Sequence, residues 1–327
     1  MTRDRDRICH CDATPPNGRV GILRAMQLPP ILLSLLAIAC GPSARSGTDA
    51  GTGQSDGGTD SGPCNDVVDV VFVLDTSSSM GFVLSQLESQ IEQVVTASNA
   101  LAPDAHFGLV VFQDNHFIDN TGPLEAGKVH TSASTLQARF QYYRETFTDN
   151  DRNPGDGPSG LTTQNPICEE NSLDALHAAA NDFPWRPNAT RVIIVATDDT
   201  FLERSDNYGD RDGDGKTDKT DFPREGNYPA AWTMAETVGA LKTARSRVFA
   251  FSRITQPGPV SRCSTGRRMP WADITDGWST PYGASAPIPN QTDGANFDLD
   301  QVKSGSLSLA ATINQVVLDS YCVPPVL

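Results

Sequence analysis

One short string combines the residue types that bind hard divalent cations. Asp75-Thr76-Ser77-Ser78-Ser79 offers one carboxylate and two hydroxyls at alternate positions, directly after an apolar run and before a segment with helical spacing. Side chains in this position converge at the carboxyl edge of a parallel sheet, where such folds bind ligands. Hydroxyl and carboxylate oxygens suit Mg²⁺, Mn²⁺ or Ca²⁺ rather than zinc. Serine-rich strings are also common in turns and helix caps, and this alternative stays open for the string alone.

A second candidate cation site is an acidic loop with the spacing of an EF-hand. Aspartates stand at loop positions 1, 3, 5, 9 and 12, and Gly215 stands at position 6. The expected ligands are five side chains and one backbone carbonyl, that of Lys216: Asp210, Asp212, Asp214, Lys216, Asp218 and Asp221. Asp221 replaces the usual Glu, so its bidentate reach is shorter. We expect Ca²⁺ here, and the alternative is an acidic loop that only faces solvent.

The elements that must position these residues alternate between strand and helix patterns. Apolar runs predict strands, and helical spacing predicts helices, at 67–74 (strand), 82–97 (helix), 107–112 (strand), 136–147 and 172–183 (helices), 191–196 (strand), 230–243 (helix), 247–251 (strand) and 307–318 (helix). This alternation predicts an α/β fold, a doubly wound, mostly parallel sheet with helices on both faces. We expect the long connections 147–169, 199–228 and 254–298 to rim the metal site. Within the last, Trp278 and Tyr282 form either a recognition surface or packing anchors for their own loop.

The string at Asp75 resembles the metal-ion-dependent adhesion site (MIDAS) of von Willebrand factor A (vWA) domains. Ile193-Ile194-Val195-Ala196-Thr197-Asp198 resembles the apolar strand of that family that ends in Thr-Asp, which would place Asp198 beside Asp75. Most members have a Thr before a helix where this chain has Glu170-Asn171-Ser172-Leu173-Asp174. That string resembles the integrin β subunit version, in which a Glu is the ligand. The resemblance covers most of residues 66–320.

This resemblance implies a vWA-like fold and a bound cation, Mg²⁺ or Mn²⁺, held by Asp75, Ser77, Ser79, Glu170 and Asp198. Ser77, Ser79 and Glu170 would coordinate it directly, whereas Asp75 and Asp198 would bind it directly or through ordered waters. The open position would take an Asp or Glu carboxylate from a protein partner. The extra negative charge of Glu170 makes the metal a weaker electrophile, so we expect the site to bind a partner carboxylate with modest affinity. The alternative is that Glu170 only favours the N-terminus of the following helix.

The first forty residues resemble a bacterial export signal. Residues 1–40 contain basic residues, an apolar run at 31–39 that is too short to span a bilayer, and Ala37-Ile38-Ala39-Cys40. This ending resembles a lipobox, whose cysteine is lipidated after cleavage; ordinary secretion and an uncleaved anchor are the alternatives. Small and polar residues at 41–63 predict a flexible linker. The vWA-like domain with long loops would span 64–322, followed by a tail at 323–327.

The cysteines beyond the leader predict disulfides. They are Cys64, Cys168, Cys263 and Cys322. An even number outside the cytoplasm suggests two bridges, for which three connectivities exist. A Cys64–Cys322 bridge would join the ends of the domain, because these residues flank the first strand and the last helix, and Cys168 would then pair with Cys263. Zinc fits less well, because no C-x-x-C and no nearby His pair is present.

The net charge and the absence of catalytic motifs exclude several classes of protein function. The net charge of −15 argues against nucleic acid, and against a membrane other than through a lipid anchor, as the main partner. No dinucleotide or nucleophile-elbow motif appears, and the histidines beyond the leader lack triad spacing, so we expect no enzyme. The sequence predicts a metal-dependent adhesion or protein-binding module in the bacterial cell envelope, as an outer-membrane lipoprotein or a secreted protein. The alternatives are a structural, calcium-stiffened surface domain without an external metal ligand and, third, a hydrolase.

Overall fold

The structure is a computed structural model of the 327-residue chain. It describes residues 67–150, 152, 169–204, 230–254, 273–321 and 323. All of these belong to a unit that spans Thr59–Leu327, and the other unit, Met1–Gly58, lies outside the described residues. The predicted leader, the linker and the limits of the domain therefore stay predictions.

A six-stranded sheet forms the centre of the domain. Its strands are β1 (Val68–Asp75), β2 (His106–Phe112), β3 (His116–Ile118), β4 (Thr190–Ala196), β5 (Arg247–Ser252) and β6 (Asn296–Asp298). Their spatial order is β3-β2-β1-β4-β5-β6, and each neighbouring pair is parallel except β2 and β3. The strand order changes direction between β1 and β4. The carboxyl ends of these two strands therefore flank the crevice where sheets of this kind bind ligands.

β1 is the central strand, and its sequence suits burial on both faces. All eight of its residues are buried, and Phe72 lies opposite Leu109 of β2 and Ile194 of β4. Asp69, near its start, accepts hydrogen bonds from the backbone N–H and the Nε–H of Arg186 at 2.8 and 2.7 Å. This arginine compensates the charge of a carboxylate that has no access to water.

Helices cover both faces of the sheet, and this confirms the predicted doubly wound α/β fold. They are α1 (Gly81–Leu101), α2 (Ala133–Thr146), α3 (Ser172–Asn181), α4 (Met234–Thr243), α5 (Ile288–Gln291), α6 (Leu299–Ser304) and α7 (Leu309–Ser320). On one face, α1, α2, α6 and α7 pack around Phe72 and Leu74 of β1. On the other, α3, α4 and α5 pack around Val71 and Val73. Within the described part of the chain, no helix has the length and apolar character that crossing a membrane requires.

Several boundaries differ from the predicted ones because polar side chains cap the helices. The helix predicted from residue 230 begins only at Met234. Thr233 Oγ1 accepts a hydrogen bond from the Glu236 N–H, and the Glu236 carboxylate accepts one from the Thr233 N–H. The helix predicted from residue 307 likewise begins after its N-cap, Ser308. The sequence patterns do not predict β3, β6, α5 or α6, because three to six residues carry too little periodicity.

A buried carboxylate joins the end of β3 to α2. Asp119 Oδ2 accepts hydrogen bonds from Arg139 Nε and Tyr143 Oη, both at 2.7 Å, and Oδ1 accepts one from Thr121 Oγ1 at 2.7 Å. His130 Nε2 lies 3.3 Å from Oδ1. Burial alone would raise the pKa of Asp119. The hydrogen bonds from His130, Thr121 and Tyr143 and the charge of Arg139 nevertheless hold that pKa well below its usual range.

The connection from β5 to β6 packs on the carboxyl edge of the sheet through aromatic side chains. Trp278 is completely buried, with its ring edge-on to Phe201 at a centroid distance of 5.7 Å. Tyr282 is half-buried against the same phenylalanine, at 4.9 Å. Of the two roles that the sequence allows for Trp278, the structure supports the packing anchor.

Candidate metal centre

The serine string lies at the carboxyl end of β1, as predicted. β1 ends at Asp75, and a 3₁₀ turn at Ser78–Met80 leads into α1. The Ser77 N–H donates a hydrogen bond to Asp75 Oδ1 at 2.7 Å, and the hydroxyl oxygens of Ser77 and Ser79 lie 3.0 Å apart. Asp75 and Ser77 are buried, whereas Ser79 is exposed. The local turn thus gathers three polar side chains at one place.

The loop after β4 brings Thr197 and Asp198 to the same place. β1 and β4 are adjacent and parallel, so both chains leave the sheet at the same edge. Thr197 Oγ1 donates a hydrogen bond to Asp75 Oδ2 at 2.9 Å, and Ser79 Oγ donates one to Asp198 Oδ1 at 3.0 Å. A single chain of hydrogen bonds therefore joins Asp75, Ser77, Ser79 and Asp198, four of the five predicted ligand residues.

Glu170, the fifth predicted ligand, is held against the loop that follows β4. Its N–H donates a hydrogen bond to the Thr200 carbonyl at 3.0 Å, and its carbonyl accepts one from the Leu202 N–H at 3.3 Å. The next residue, Asn171, donates its N–H to the Gln113 carbonyl, just beyond β2, at 2.7 Å. Glu170 is buried and lies two residues before α3. Backbone hydrogen bonds thus attach Glu170 to the loop after β4, and its neighbour Asn171 to the residue after β2.

Burial and charge make Asp75 an unusual carboxylate. Burial, followed by the charge of Asp198, raises the pKa of Asp75 to about 7. The hydrogen bonds that it accepts from Ser77 and Thr197 act in the opposite direction and are outweighed. In the absence of a cation, this carboxylate is therefore poorly stabilised in its ionised form.

Glu170 is also a buried carboxyl group surrounded by negative charges. Burial raises its pKa well above the usual range, and the charges of Asp75, Asp114, Asp199 and Asp198 add to the effect in that order. These influences place Glu170 electrostatically within the acidic cluster at the carboxyl edge. Asp114 and Asp199 were not predicted from the sequence. Each follows a strand of the central sheet by only two or three residues, and that position is the signal that could have identified it.

The donor groups at this edge fit a hard divalent cation. Carboxylate and hydroxyl oxygens are the ligands that Mg²⁺, Mn²⁺ and Ca²⁺ prefer, and a cation among buried carboxylates would favour their ionised forms. Over the described ranges, no group of three or more His, Cys, Asp or Glu side chains is arranged to hold a metal ion by itself. Binding here would thus depend on the hydroxyls of Ser77 and Ser79 as well as on the acids.

An arginine that the sequence analysis did not single out lies at the edge of this cluster. Arg253 directly follows β5, and its Nη2 lies 3.3 Å from Asp198 Oδ2. Ser279 Oγ donates a hydrogen bond to the Arg253 carbonyl at 3.0 Å. The available signal was its position after a predicted strand, the same signal that marks Asp198.

A groove of about 630 Å³ opens beside Arg253. Ile254, Trp278 and Asn296 are among its lining residues. Trp278 Nε1 donates a hydrogen bond to the Asp199 carbonyl at 3.0 Å, which ties the groove to the loop after β4. Asn296 Nδ2 is buried and has no hydrogen-bond partner within the described residues. The groove therefore adjoins Arg253 through the neighbouring Ile254, and the loop after β4 through Trp278.

The remaining predicted sites lie outside the described residues. They are the acidic loop at 210–221, the lipidation residue Cys40, and the cysteines of both predicted disulfides, Cys64, Cys322, Cys168 and Cys263. Their roles stay predictions.

The structure does describe both ends of the segment that carries the acidic loop. The Arg204 N–H donates a hydrogen bond to the Trp232 carbonyl at 3.1 Å. The N–H groups of Ala231 and Trp232 each donate to Asp174 Oδ1 at 3.1 Å. Asp174 lies in the first turn of α3, four residues after Glu170. The segment thus starts and finishes at one place, on the same helix that follows Glu170.

Two solved structures show distant similarity to this chain. The structure matches the conserved hypothetical protein BatB from Bacteroides thetaiotaomicron with a TM-score of 0.39 and 15% identity, covering 76% of this chain and 99% of that one. It matches an aerotolerance-related membrane protein from Bacteroides fragilis with a TM-score of 0.40 and 15% identity, covering 77% and 99%. No family model and no curated protein matches the sequence. The interpretation of the site therefore rests on its own residues and geometry.

The carboxyl edge of the sheet thus combines three features. It gathers two hydroxyls and three acidic side chains, it buries most of them, and it remains accessible at the exposed Ser79. Such a site can bind a hard cation and present it to an oxygen ligand from another molecule.

Proposed function

We propose that the protein is a metal-dependent binding module that captures a carboxylate of a protein partner at a MIDAS-type site for Mg²⁺ or Mn²⁺. The hydrogen-bond chain through Asp75, Ser77, Ser79 and Asp198 carries this proposal, because it gathers hard oxygen ligands where doubly wound sheets bind ligands. Glu170 completes the proposed ligand set. The role is binding rather than catalysis, and nucleic acid is not the partner.

Direct cation binding is the first test. Purified protein would be titrated with Mg²⁺, Mn²⁺ and Ca²⁺ by calorimetry and compared with Ser77→Ala/Ser79→Ala, hereafter the double serine variant. Ser304→Ala/Ser306→Ala is the matched control, because these exposed serines have the same spacing and their hydroxyl oxygens lie 2.7 Å apart. We expect one site that the double serine variant loses and the control keeps. Equal binding by all three proteins would contradict the proposed site.

The acidic loop is proposed as a second site, for Ca²⁺. Its aspartates have EF-hand spacing, so the same titration should reveal a calcium site that the double serine variant retains. Asp210→Ala/Asp212→Ala should remove that site and leave the first one intact. If a single calcium site were found, and only the loop variant removed it, the protein would instead be a structural, calcium-stiffened surface domain.

Capture of a carboxylate is a separate test. Immobilised peptides that contain Asp or Glu would be compared with matched peptides that contain Asn or Gln, in Mg²⁺ or Mn²⁺ and then in a chelator. Binding should require both the acid and the metal, and Asp75→Ala should abolish it while the far-ultraviolet circular dichroism stays unchanged. Binding that survives chelation, or that does not distinguish Asp from Asn, would exclude a metal-held carboxylate.

We also propose that the protein belongs to the bacterial cell envelope, anchored through a lipid on Cys40. The motif Ala37-Ile38-Ala39-Cys40 supports this proposal. In membrane fractionation, the unaltered protein should remain with the membranes, and Cys40→Ala should release it or block its processing. An unchanged distribution together with unchanged processing would argue for ordinary secretion or an uncleaved anchor.

A further inference from the structure

Arg253 offers a cationic side chain at the rim of the proposed metal site. Its Nη2 lies 3.3 Å from Asp198 Oδ2, and a quarter of its side chain is exposed. Its Nε is buried, lies 4.0 Å from Asp300 Oδ1 and makes no hydrogen bond within the described residues. A guanidinium carries five N–H donors, and with Nε buried it is the Nη1 and Nη2 donors not directed at Asp198 that are left for a second anion.

The negative charges around the proposed metal site show what Arg253 contributes to the binding of a carboxylate. The proposed ligand set is rich in carboxylates, and Asp114 and Asp199 lie in the same acidic cluster. A carboxylate that approaches a cation held here is therefore repelled by these side chains as well as attracted by the metal. Arg253 contributes a positive charge in contact with this cluster, through Asp198. The arginine thus offsets the additional negative charge that Glu170 brings to the site.

We propose that Arg253 is a second anchor for the carboxylate of the partner, to which its guanidinium donates hydrogen bonds when the site captures that group. This inference rests on the proposed function. The partner is then a protein segment that bears an exposed Asp or Glu. The residue next to that Asp or Glu lies in the groove that is lined by Ile254, directly after Arg253.

The proposal predicts opposite effects of one substitution on two affinities. Arg253→Gln removes a positive charge that competes with the cation for Asp198, so the affinity for Mn²⁺ should rise. It also removes a charge-assisted hydrogen-bond donor, so the affinity for a carboxylate should fall by about tenfold. If Arg253 only held Asp198 in position, both affinities would fall. Arg253→Lys keeps the charge without the planar fork and should lose less carboxylate affinity than Arg253→Gln.

The experiment measures both affinities on the same protein. Mn²⁺ binding would be followed by electron paramagnetic resonance of the free ion. Carboxylate binding would be followed by adding sodium propionate to the Mn²⁺-loaded protein, at constant ionic strength, and recording the water-proton relaxation rate. The signal that persists in the double serine variant is subtracted as background.

Lys242→Gln is the matched control for the loss of one positive charge. Lys242 is exposed and lies in the last turn of α4, just before β5 begins at the opposite edge of the sheet. It should change neither affinity.

The outcomes separate this inference from the function on which it rests. Tighter Mn²⁺ binding together with weaker propionate binding in Arg253→Gln supports the second anchor. Unchanged propionate affinity in Arg253→Gln, or a fall in both affinities, overturns it while carboxylate capture stands. If propionate has no effect on the unaltered protein, carboxylate capture and the second anchor are both wrong.

Discussion

Replacing Asp119 with Asn tests whether the buried network between β3 and α2 stabilises the domain that carries the site. The substitution keeps the shape of the side chain but removes the charge that faces Arg139 at 2.7 Å. Breaking a buried ion pair in this way costs about 3–5 kcal/mol. Because the Arg139 side chain is still 19% exposed, we expect the lower end of the range, about 3 kcal/mol of unfolding free energy.

Urea unfolding in the presence of a chelator measures this change, with an expected decrease of about 1 M or more in the midpoint. Asp149→Asn is the control, because Asp149 pairs with Arg144 at 3.2 Å but is 50% exposed, and its loss should cost no more than about 1 kcal/mol. If Asp119→Asn costs no more than this control, the network does not stabilise the fold as described.

The pH dependence of the same variant follows from the lowered pKa of Asp119. A carboxyl group whose pKa is depressed in the folded state contributes its full stabilisation above the unfolded value, which is about 4 for Asp. That contribution is lost as the pH falls through the lower folded value. The difference in unfolding free energy between the unaltered protein and Asp119→Asn should therefore stay constant above about pH 5 and shrink below about pH 4.

Three further changes test other parts of the structure. Trp278→Phe keeps the aromatic ring but removes the 3.0 Å hydrogen bond to the Asp199 carbonyl, so urea unfolding should show a loss of about 1 kcal/mol and Mn²⁺ should bind more weakly. Gly294→Ala would place a Cβ in steric overlap with the Val248 carbonyl oxygen, so this variant should yield little folded protein in solubility and circular dichroism assays. Chelation should lower the melting temperature of the unaltered protein at saturating Mg²⁺, since a ligand of the folded state stabilises it by mass action. In the double serine variant, the part of this decrease that is due to the proposed site should disappear.

The centre of the site can be predicted from the sequence because the two strands that lead into it, β1 and β4, are buried on both faces of the sheet. β1 and β4 read as apolar runs, and polar residues directly after such runs must emerge at the carboxyl edge of a parallel sheet. The structure brings Asp75, Ser77, Ser79 and Asp198 together in that position. Glu170 joins the same edge through backbone hydrogen bonds to the loop after β4, and no local pattern encodes those contacts.

Arg253 was missed for a related reason. Its partner, Asp198, is 55 positions away in the chain, and their contact exists only because β4 and β5 are neighbours in the sheet. The edge strands β3 and β6 were missed because three residues each provide too short a pattern. Sequence patterns thus identify residues at the ends of long buried strands, whereas pairings between loops depend on the spatial order of the strands.

The contact between Arg204 and Trp232 determines where a foreign peptide can be inserted into the domain. Arg204 and Trp232 lie on either side of residues 205–229 in the chain, and they already meet through a 3.1 Å hydrogen bond. A segment of different length, or a reporter peptide, can be grafted between these ends at a small cost in loop-closure entropy. The domain therefore offers an attachment point next to its proposed binding edge, and that point can be used without changing Asp75, Ser77, Ser79, Glu170 or Asp198, whereas a graft that replaces residues 210–221 would remove the proposed calcium loop.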